Sequence, residues 1–112
     1  GCGAGTEYLA ITPGGDIYPC HQFVGKEEFR LGSLFDEENQ FPKDIIDGFM
    51  KTDVTTKEDC KKCWAKFYCS GGCHANAYNF NGDIQKPYKD GCEMQKKRIE
   101  CAIMVEAALM LE

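Results

Sequence analysis

Positive charge is scarce in this 112-residue chain: 13 Lys and Arg stand against 18 Asp and Glu, a formal net charge of −5 at pH 7. A protein that grips nucleic acid needs a basic face to neutralise phosphates, so no nucleic-acid partner is expected. Long apolar runs are missing as well. Nothing reaches the roughly 18 residues of a membrane-spanning helix, and the apolar stretch 101–111 is too short and carries Glu106; no membrane partner is expected. Histidine is limited to His21 and His74, each directly after a cysteine. They are placed to hydrogen-bond a metal-bound sulfur or to sit exposed beside it, and are poor first-choice ligands next to so much thiolate. There is no internal repeat, low-complexity segment or domain boundary, so one domain with a modest core is expected. The chain opens Gly1-Cys2-Gly3 without methionine or signal peptide. That start reads as a fragment of a longer protein, and the ordinary mix of surface charges suits a cytoplasmic one.

Cysteine, by contrast, is abundant. Seven of the 8 fall into one spaced pattern: Cys2-x12-Gly15-x4-Cys20, a gap, Cys60-x2-Cys63-x5-Cys69-x3-Cys73, a second gap, and Cys92. Thiolates at such short spacings hold zinc or iron–sulfur clusters. Seven ligands exceed one tetrahedral site, which implies two metal centres. Eight cysteines in a small secreted chain could also form four disulfides, but Cys60-x2-Cys63 is commoner as a metal knuckle. Two metal arrangements stay open. Cys60, Cys63, Cys69 and Cys73 can close one zinc site and leave Cys2, Cys20 and Cys92 idle, or the cysteines divide between two clusters with ligands crossing between motifs. Gly71-Gly72 is equally ambiguous: it lets backbone approach a bulky cluster and offer N–H groups to its sulfurs, or it is a tight turn before a helix.

Local patterns predict an α+β fold: a small metal-stapled domain with an N-terminal β-hairpin, irregular cysteine-rich loops, short helices and a long C-terminal helix. Residues 8–12 and 16–19 flank Pro13-Gly14-Gly15 as a hairpin whose glycines supply positive φ. That hairpin returns Cys20 beside the segment holding Cys2, and Pro19 rigidifies the approach. A short strand is expected within 29–34 and an acidic loop over 35–40. Pro42 opens a helix through Met50 with Ile45, Ile46, Phe49 and Met50 on one face. Thr55 or Thr56 is expected to cap a turn delivering Cys60. A helix over 73–80, a turn at Asn81-Gly82-Asp83, irregular chain over 87–91 and a helix over 93–111 complete the pattern. On the last helix Met94, Cys101, Val105 and Ala108 fall on one stripe. Cys101 is therefore expected as a buried small hydrophobe rather than a ligand. Trp64, Phe67 and Tyr68 lie inside the knuckle and are expected to wall the metal site from water.

The whole pattern from Cys2 to Cys92 resembles the SPASM domain, the C-terminal extension of many radical SAM enzymes that modify ribosomally made peptides and proteins. Cys20-His21-Gln22-Phe23-Val24-Gly25 and Tyr68-Cys69-Ser70-Gly71-Gly72-Cys73-His74-Ala75-Asn76 are similar to the maturases of six-cysteine SCIFF peptides, which form sactipeptide thioether crosslinks from a Cys sulfur to an acceptor carbon. The resemblance implies two auxiliary [4Fe–4S] clusters, the first on Cys2, Cys20 and Cys73, the second on Cys60, Cys63, Cys69 and Cys92. Some members carry another cysteine just before the hairpin. Here only Gly1 precedes Cys2, and Tyr8 is the residue at a comparable downstream distance. Three protein ligands would leave one iron of the first cluster open, either because the sequence is a truncated fragment or by design. In the second case that iron is expected to be a Lewis-acid position for a substrate thiolate, while the second cluster is expected to relay electrons.

The radical SAM triad Cys-x3-Cys-x2-Cys is absent, because Cys69-x3-Cys73 is followed by Asn76 at the third position. This stretch alone is not expected to be an enzyme. S-adenosylmethionine and a third [4Fe–4S] cluster are expected in a radical SAM barrel domain in cis. The other implied partners are a Cys-rich ribosomal precursor peptide and a low-potential electron donor, flavodoxin or ferredoxin. A free-standing ferredoxin-like electron carrier and a zinc-binding structural or interaction module are the competing functions, and zinc is also an adventitious replacement for iron. Folding of residues 60–92 is expected to depend on metal.

Overall fold

Strands β1 (Ala10–Ile11) and β2 (Asp16–Tyr18) form the expected hairpin in the computed structural model, which describes residues 2–38 and 40–112. Ala10 lies opposite Tyr18 and Ile11 opposite Ile17, antiparallel. The turn closes through Gly15 N–H to the Thr12 carbonyl (2.9 Å) and Asp16 N–H to Thr12 Oγ1 (3.1 Å). Of the two turn glycines, Gly15 is the one with positive φ, +90°. A Cβ there would stand 2.7 Å from the Phe35 ring. Strand β3 (Gly32–Ser33) adds to the other edge of β2, giving the order β1-β2-β3 with Ile17 opposite Gly32. The strand expected within 29–34 shrinks to these two residues because Glu27–Phe29 winds into a 3₁₀ turn.

Against the sheet, Ile17, Tyr18, Phe23, Leu31 and Phe49 are buried. The Phe23 ring centroid lies 4.5 Å from that of Phe29 and 5.4 Å from that of Phe49, the latter edge-on. Helix α1 (Lys43–Met50) starts directly after Pro42, as its pattern predicts. Its buried face is narrower than expected: Phe49 is buried, Ile45 and Ile46 are half-buried and Met50 is exposed. The acidic segment is loop as expected, with Asp36 accepting from the Ser33 amide (2.9 Å); Asn39 lies outside the described residues. These elements make one unit, Gly1–Thr52.

A second unit, Asp53–Glu112, is helical: α2 (Glu58–Lys61), α3 (Lys66–Cys69), α4 (His74–Asn81) and α5 (Lys89–Met110). The cysteine-rich stretch is thus short helices joined by turns. Neither Thr55 nor Thr56 caps α2. Thr55 N–H and hydroxyl bond the Asp53 carboxylate (2.7 and 2.6 Å), and Asp53 N–H bonds Thr56 Oγ1 (2.9 Å). The threonines are spent in this local turn, and extended Lys57 precedes the helix instead. Gly82 closes α4 at φ +70°. Phe80 then stacks on Tyr88, centroids 3.9 Å apart and planes 10° off parallel, and Asn81 Nδ2 donates to the carbonyls of Lys86 and Pro87.

With the chain so held, α5 begins at Lys89, within the stretch expected to be irregular. The apolar stripe expected on this helix is not buried. Met94, Cys101, Val105 and Ala108 are exposed, and Ile99 is the α5 residue that is buried. Within this unit α3 packs on α5. At four residues α3 covers little more than one turn of a helix about 33 Å long at 1.5 Å per residue. Among the described residues no helix is long and apolar enough to cross a membrane.

Candidate metal centre

Four short pieces of the second unit deliver five thiols to one place. Cys60 lies on α2 and is buried, and the Cys63 amide bonds the Cys60 carbonyl (3.0 Å) in the turn that follows. Cys69 ends α3 one helical turn after Ala65, so the two share a face. The chain then reverses through Ser70, Gly71 and Gly72, with successive φ of 63°, 97° and 75°. Three left-handed residues in a row suit glycine and burden the one serine. Cys73 emerges from this bend as the first residue before α4, and the early start of α5 puts Cys92 in its first turn. Cys60, Cys63, Cys69, Cys73 and Cys92 all line a cavity of about 520 Å³, together with Ala65, Gly71, Gly72 and Tyr88.

Burial pushes the Cys60 thiol up; Lys57 opposes the rise, and Cys92, Cys69 and Cys63 add to it. Cys92 is raised first by burial and then by Cys69, with Lys96 opposing and Cys63 adding. Cys63 and Cys69 therefore stand near enough to Cys60 and Cys92 for their charges to oppose the ionisation of those two thiols. A bound cationic centre reverses that balance by making thiolates the favoured form. Among the described residues no three Cys, His, Asp or Glu side chains converge on a single-ion site; the thiols surround a volume instead. Soft thiolate donors around a partly water-shielded cavity, one wall of which is glycine backbone, fit an iron–sulfur cluster.

Lys57 carries no mark in the sequence that separates it from Lys61 and Lys62, yet those are exposed and Lys57 is 1% exposed. Its Nζ donates to the Gly71 carbonyl at 2.8 Å. Only the fold reveals it. His74, half-buried beside Cys73, is held down to about 4 by burial and by the Lys57 charge. The aromatic wall expected from the knuckle is a correction: Trp64, Phe67 and Tyr68 are exposed, and Ala65 and Tyr88 line the cavity in their place. On a one-turn helix the face shared by Ala65 and Cys69 turns inward, which sends residue 67 outward and residue 68 to the flank, where Tyr68 lies along a shallow groove with Ile99 and Ile103. Cys101 is corrected too, being exposed on α5 rather than buried.

Cys2 and Cys20 belong to the first unit. Gly5 N–H donates to the Pro19 carbonyl (3.0 Å), so the backbone following Cys2 runs beside the backbone leading to Cys20. Cys2 is exposed and Cys20 half-buried, its Sγ accepting from the Gln22 amide (3.3 Å) to cap the turn His21–Phe23. His21 is exposed, with Nδ1 3.3 Å from the Tyr8 hydroxyl.

Comparison with known proteins bears on this chemistry. The family model SPASM, an iron–sulfur cluster-binding domain, matches residues 2–64. An uncharacterized protein of Archaeoglobus fulgidus is 35% identical over 100 residues, 86% of this chain and 23% of the relative. The antilisterial bacteriocin subtilosin biosynthesis protein AlbA of Bacillus subtilis is 33% identical over 85 residues, 71% of this chain and 18% of that protein. The cysteine-type anaerobic sulfatase-maturating enzyme of Clostridium perfringens is 34% identical over 74 residues, 63% of this chain and 20% of that enzyme. The chain spans about a fifth of the length of these curated relatives.

Proposed function

The chain belongs to the SPASM family of iron–sulfur cluster-binding domains, and from that premise we propose that it is the auxiliary-cluster domain of a radical SAM enzyme that installs Cys thioether crosslinks in a ribosomally made, Cys-rich peptide of the SCIFF kind. The observation that carries the proposal is the gathering of Cys60, Cys63, Cys69 and Cys92, together with Cys73, around one cavity, with Cys63 and Cys69 within electrostatic reach of Cys60 and Cys92. These four are assigned to one [4Fe–4S] cluster, and Cys2, Cys20 and Cys73 to another. Two of the similar proteins are named for making a bacteriocin and for maturing a sulfatase, and the proposed role is of that kind.

When bound, the clusters supply a one-electron relay and, where only three protein thiolates are offered, an iron position open to a substrate thiolate. The protein contributes geometry and exclusion of water. Buried Cys60 anchors the knuckle from below. The Gly71-Gly72 backbone forms a wall without side chains, and Pro19 stiffens the approach to Cys20. The radical SAM barrel in cis, S-adenosylmethionine with a third cluster, the precursor peptide and a flavodoxin or ferredoxin donor are part of the same proposal.

Anaerobic reconstitution followed by iron and sulfide analysis tests it. Two four-iron clusters give about eight irons and eight sulfides per chain. One or two zinc ions without sulfide overturn it in favour of a structural zinc module. The thiolate position is tested separately by Mössbauer or pulsed EPR spectroscopy with a labelled substrate cysteine, where four protein sulfurs on the first cluster would remove the open iron.

A further inference from the structure

We propose, resting on the cluster-binding function above, that Lys57 is a positioning residue whose buried ammonium offsets the negative charge of the cluster held by Cys60, Cys63, Cys69 and Cys92. An ammonium is costly to take out of water unless an anion answers it, and Lys57 is 1% exposed. Its hydrogen-bond acceptor is the neutral carbonyl of Gly71, at 2.8 Å. The ion pairs among the described residues are Arg30–Asp16, Lys61–Glu58, Lys96–Glu93 and Lys97–Glu100, and none includes Lys57. The Asp53 carboxylate is taken up by the Thr55 hydroxyl and amide, and the Lys57 charge is the smallest of the influences on it. The buried cation is therefore held in place with no carboxylate in an ion pair with it.

The missing anion is the one the cavity is built to hold. Gly71, the acceptor of the Lys57 bond, itself lines the cysteine cavity, so the ammonium lies just behind that wall. Its charge already reaches Cys60, where it opposes the rise in the thiol's pKa. Four thiolates around a doubly positive [4Fe–4S] core sum to two negative charges. Uptake of one electron from an external donor, with no bond made or broken, takes the sum to three. A fixed positive charge stabilises the second state more than the first, so Lys57 favours the reduced form. The same hydrogen bond ties down Gly71 in the left-handed run between Cys69 and Cys73. Charge and position thus come from one side chain.

The test uses the anaerobically reconstituted full chain, with dithionite as electron donor and EPR-monitored redox titration as readout. Iron and sulfide analysis accompanies each sample of the unsubstituted protein, Lys57→Met and Lys57→Arg. In the iron-replete Met variant, the reduction equilibrium of one of the two clusters is expected to fall at least tenfold, a midpoint about 59 mV more negative for one electron. The Arg variant, which keeps the cation, is expected to restore it. A Met variant that takes up no iron while the Arg variant loads normally supports the same conclusion through assembly. An unchanged midpoint in an iron-replete Met variant, an equal shift in both variants, or loss of loading in both overturns the charge role and leaves Lys57 a tether for Gly71. An unsubstituted chain that takes up no iron and sulfide is a different result, because it removes the cluster-binding function itself and this assignment with it.

Discussion

The unit Gly1–Thr52 buries rings and branched chains beneath a three-stranded sheet, with Ile17, Tyr18, Phe23, Leu31 and Phe49 at its centre. The unit Asp53–Glu112 buries Cys60, Ala65, Ala75, Ala77 and Ile99 together with a lysine, around a cavity lined by five thiols. Full burial of a side chain such as phenylalanine contributes about 1.5–3 kcal/mol, and alanine far less. Helices of four and eight residues are marginal by themselves. The contrast teaches that the first unit is held by packing, whereas the second has the outline of a site whose bound group supplies much of its cohesion.

The largest expected effect breaks the contrast at its weaker side. Removing metal from the reconstituted chain, or replacing Cys63 with Ala, should collapse amide protection over residues 60–92 while residues 16–18 and 31–33 stay protected. Hydrogen exchange with mass spectrometry reads both stretches in one experiment; undiminished protection over 60–92 after metal removal contradicts the metal-dependent picture. On the other side, Phe23→Ala should cost about 3–5 kcal/mol, the usual range for deleting a fully buried ring. Chemical denaturation followed at first-unit amides checks this, and a loss below about 1 kcal/mol would place the ring outside a packed core.

Smaller changes sharpen the boundary between what packs and what merely lies nearby. Gly15→Ala should destabilise the hairpin by about 1 kcal/mol, the scale for forcing a side chain to positive φ. The 2.7 Å approach of its Cβ to Phe35 adds little, since that ring is exposed and swings aside. Thermal melting of the first unit measures it. Trp64→Phe and Cys101→Ser should be the mildest, leaving iron content and the cluster absorption spectrum unchanged, because both residues are exposed and neither lines the cavity. Bleached absorption in either variant would return that residue to the metal site.

The features legible in the sequence are those whose causes are local. Pro42 opening α1, Gly15 turning the hairpin and Gly82 ending α4 act through φ and missing hydrogen bonds within a few residues. The misplaced features depend on neighbours. Thr55 and Thr56 suit a helix cap, but Asp53 captures them first. The start of α5 moves to Lys89 within a turn region where Phe80 stacks on Tyr88, a contact no periodicity foretells. The stripe from Met94 to Ala108 has the right spacing for burial, yet α3 is too short to cover it. Trp64, Phe67 and Tyr68 sit among ligands in sequence and away from the cavity in space. Side chains on a helix step round by about 100° per residue, so the turn that aims Cys69 at the cavity aims Phe67 away from it, and Trp64 precedes that helix.

By itself the sequence determined the donor set and the family, since seven cysteines at fixed intervals, with glycines at the bends, limit which ligands the chain can offer. Tertiary structure alone decided that Cys60, Cys63, Cys69, Cys73 and Cys92 share one cavity, that Cys101 is exposed and that Lys57 is buried behind Gly71. The reason is physical: donor type and turn geometry are carried by each residue, whereas burial and charge proximity belong to whatever the rest of the chain brings alongside.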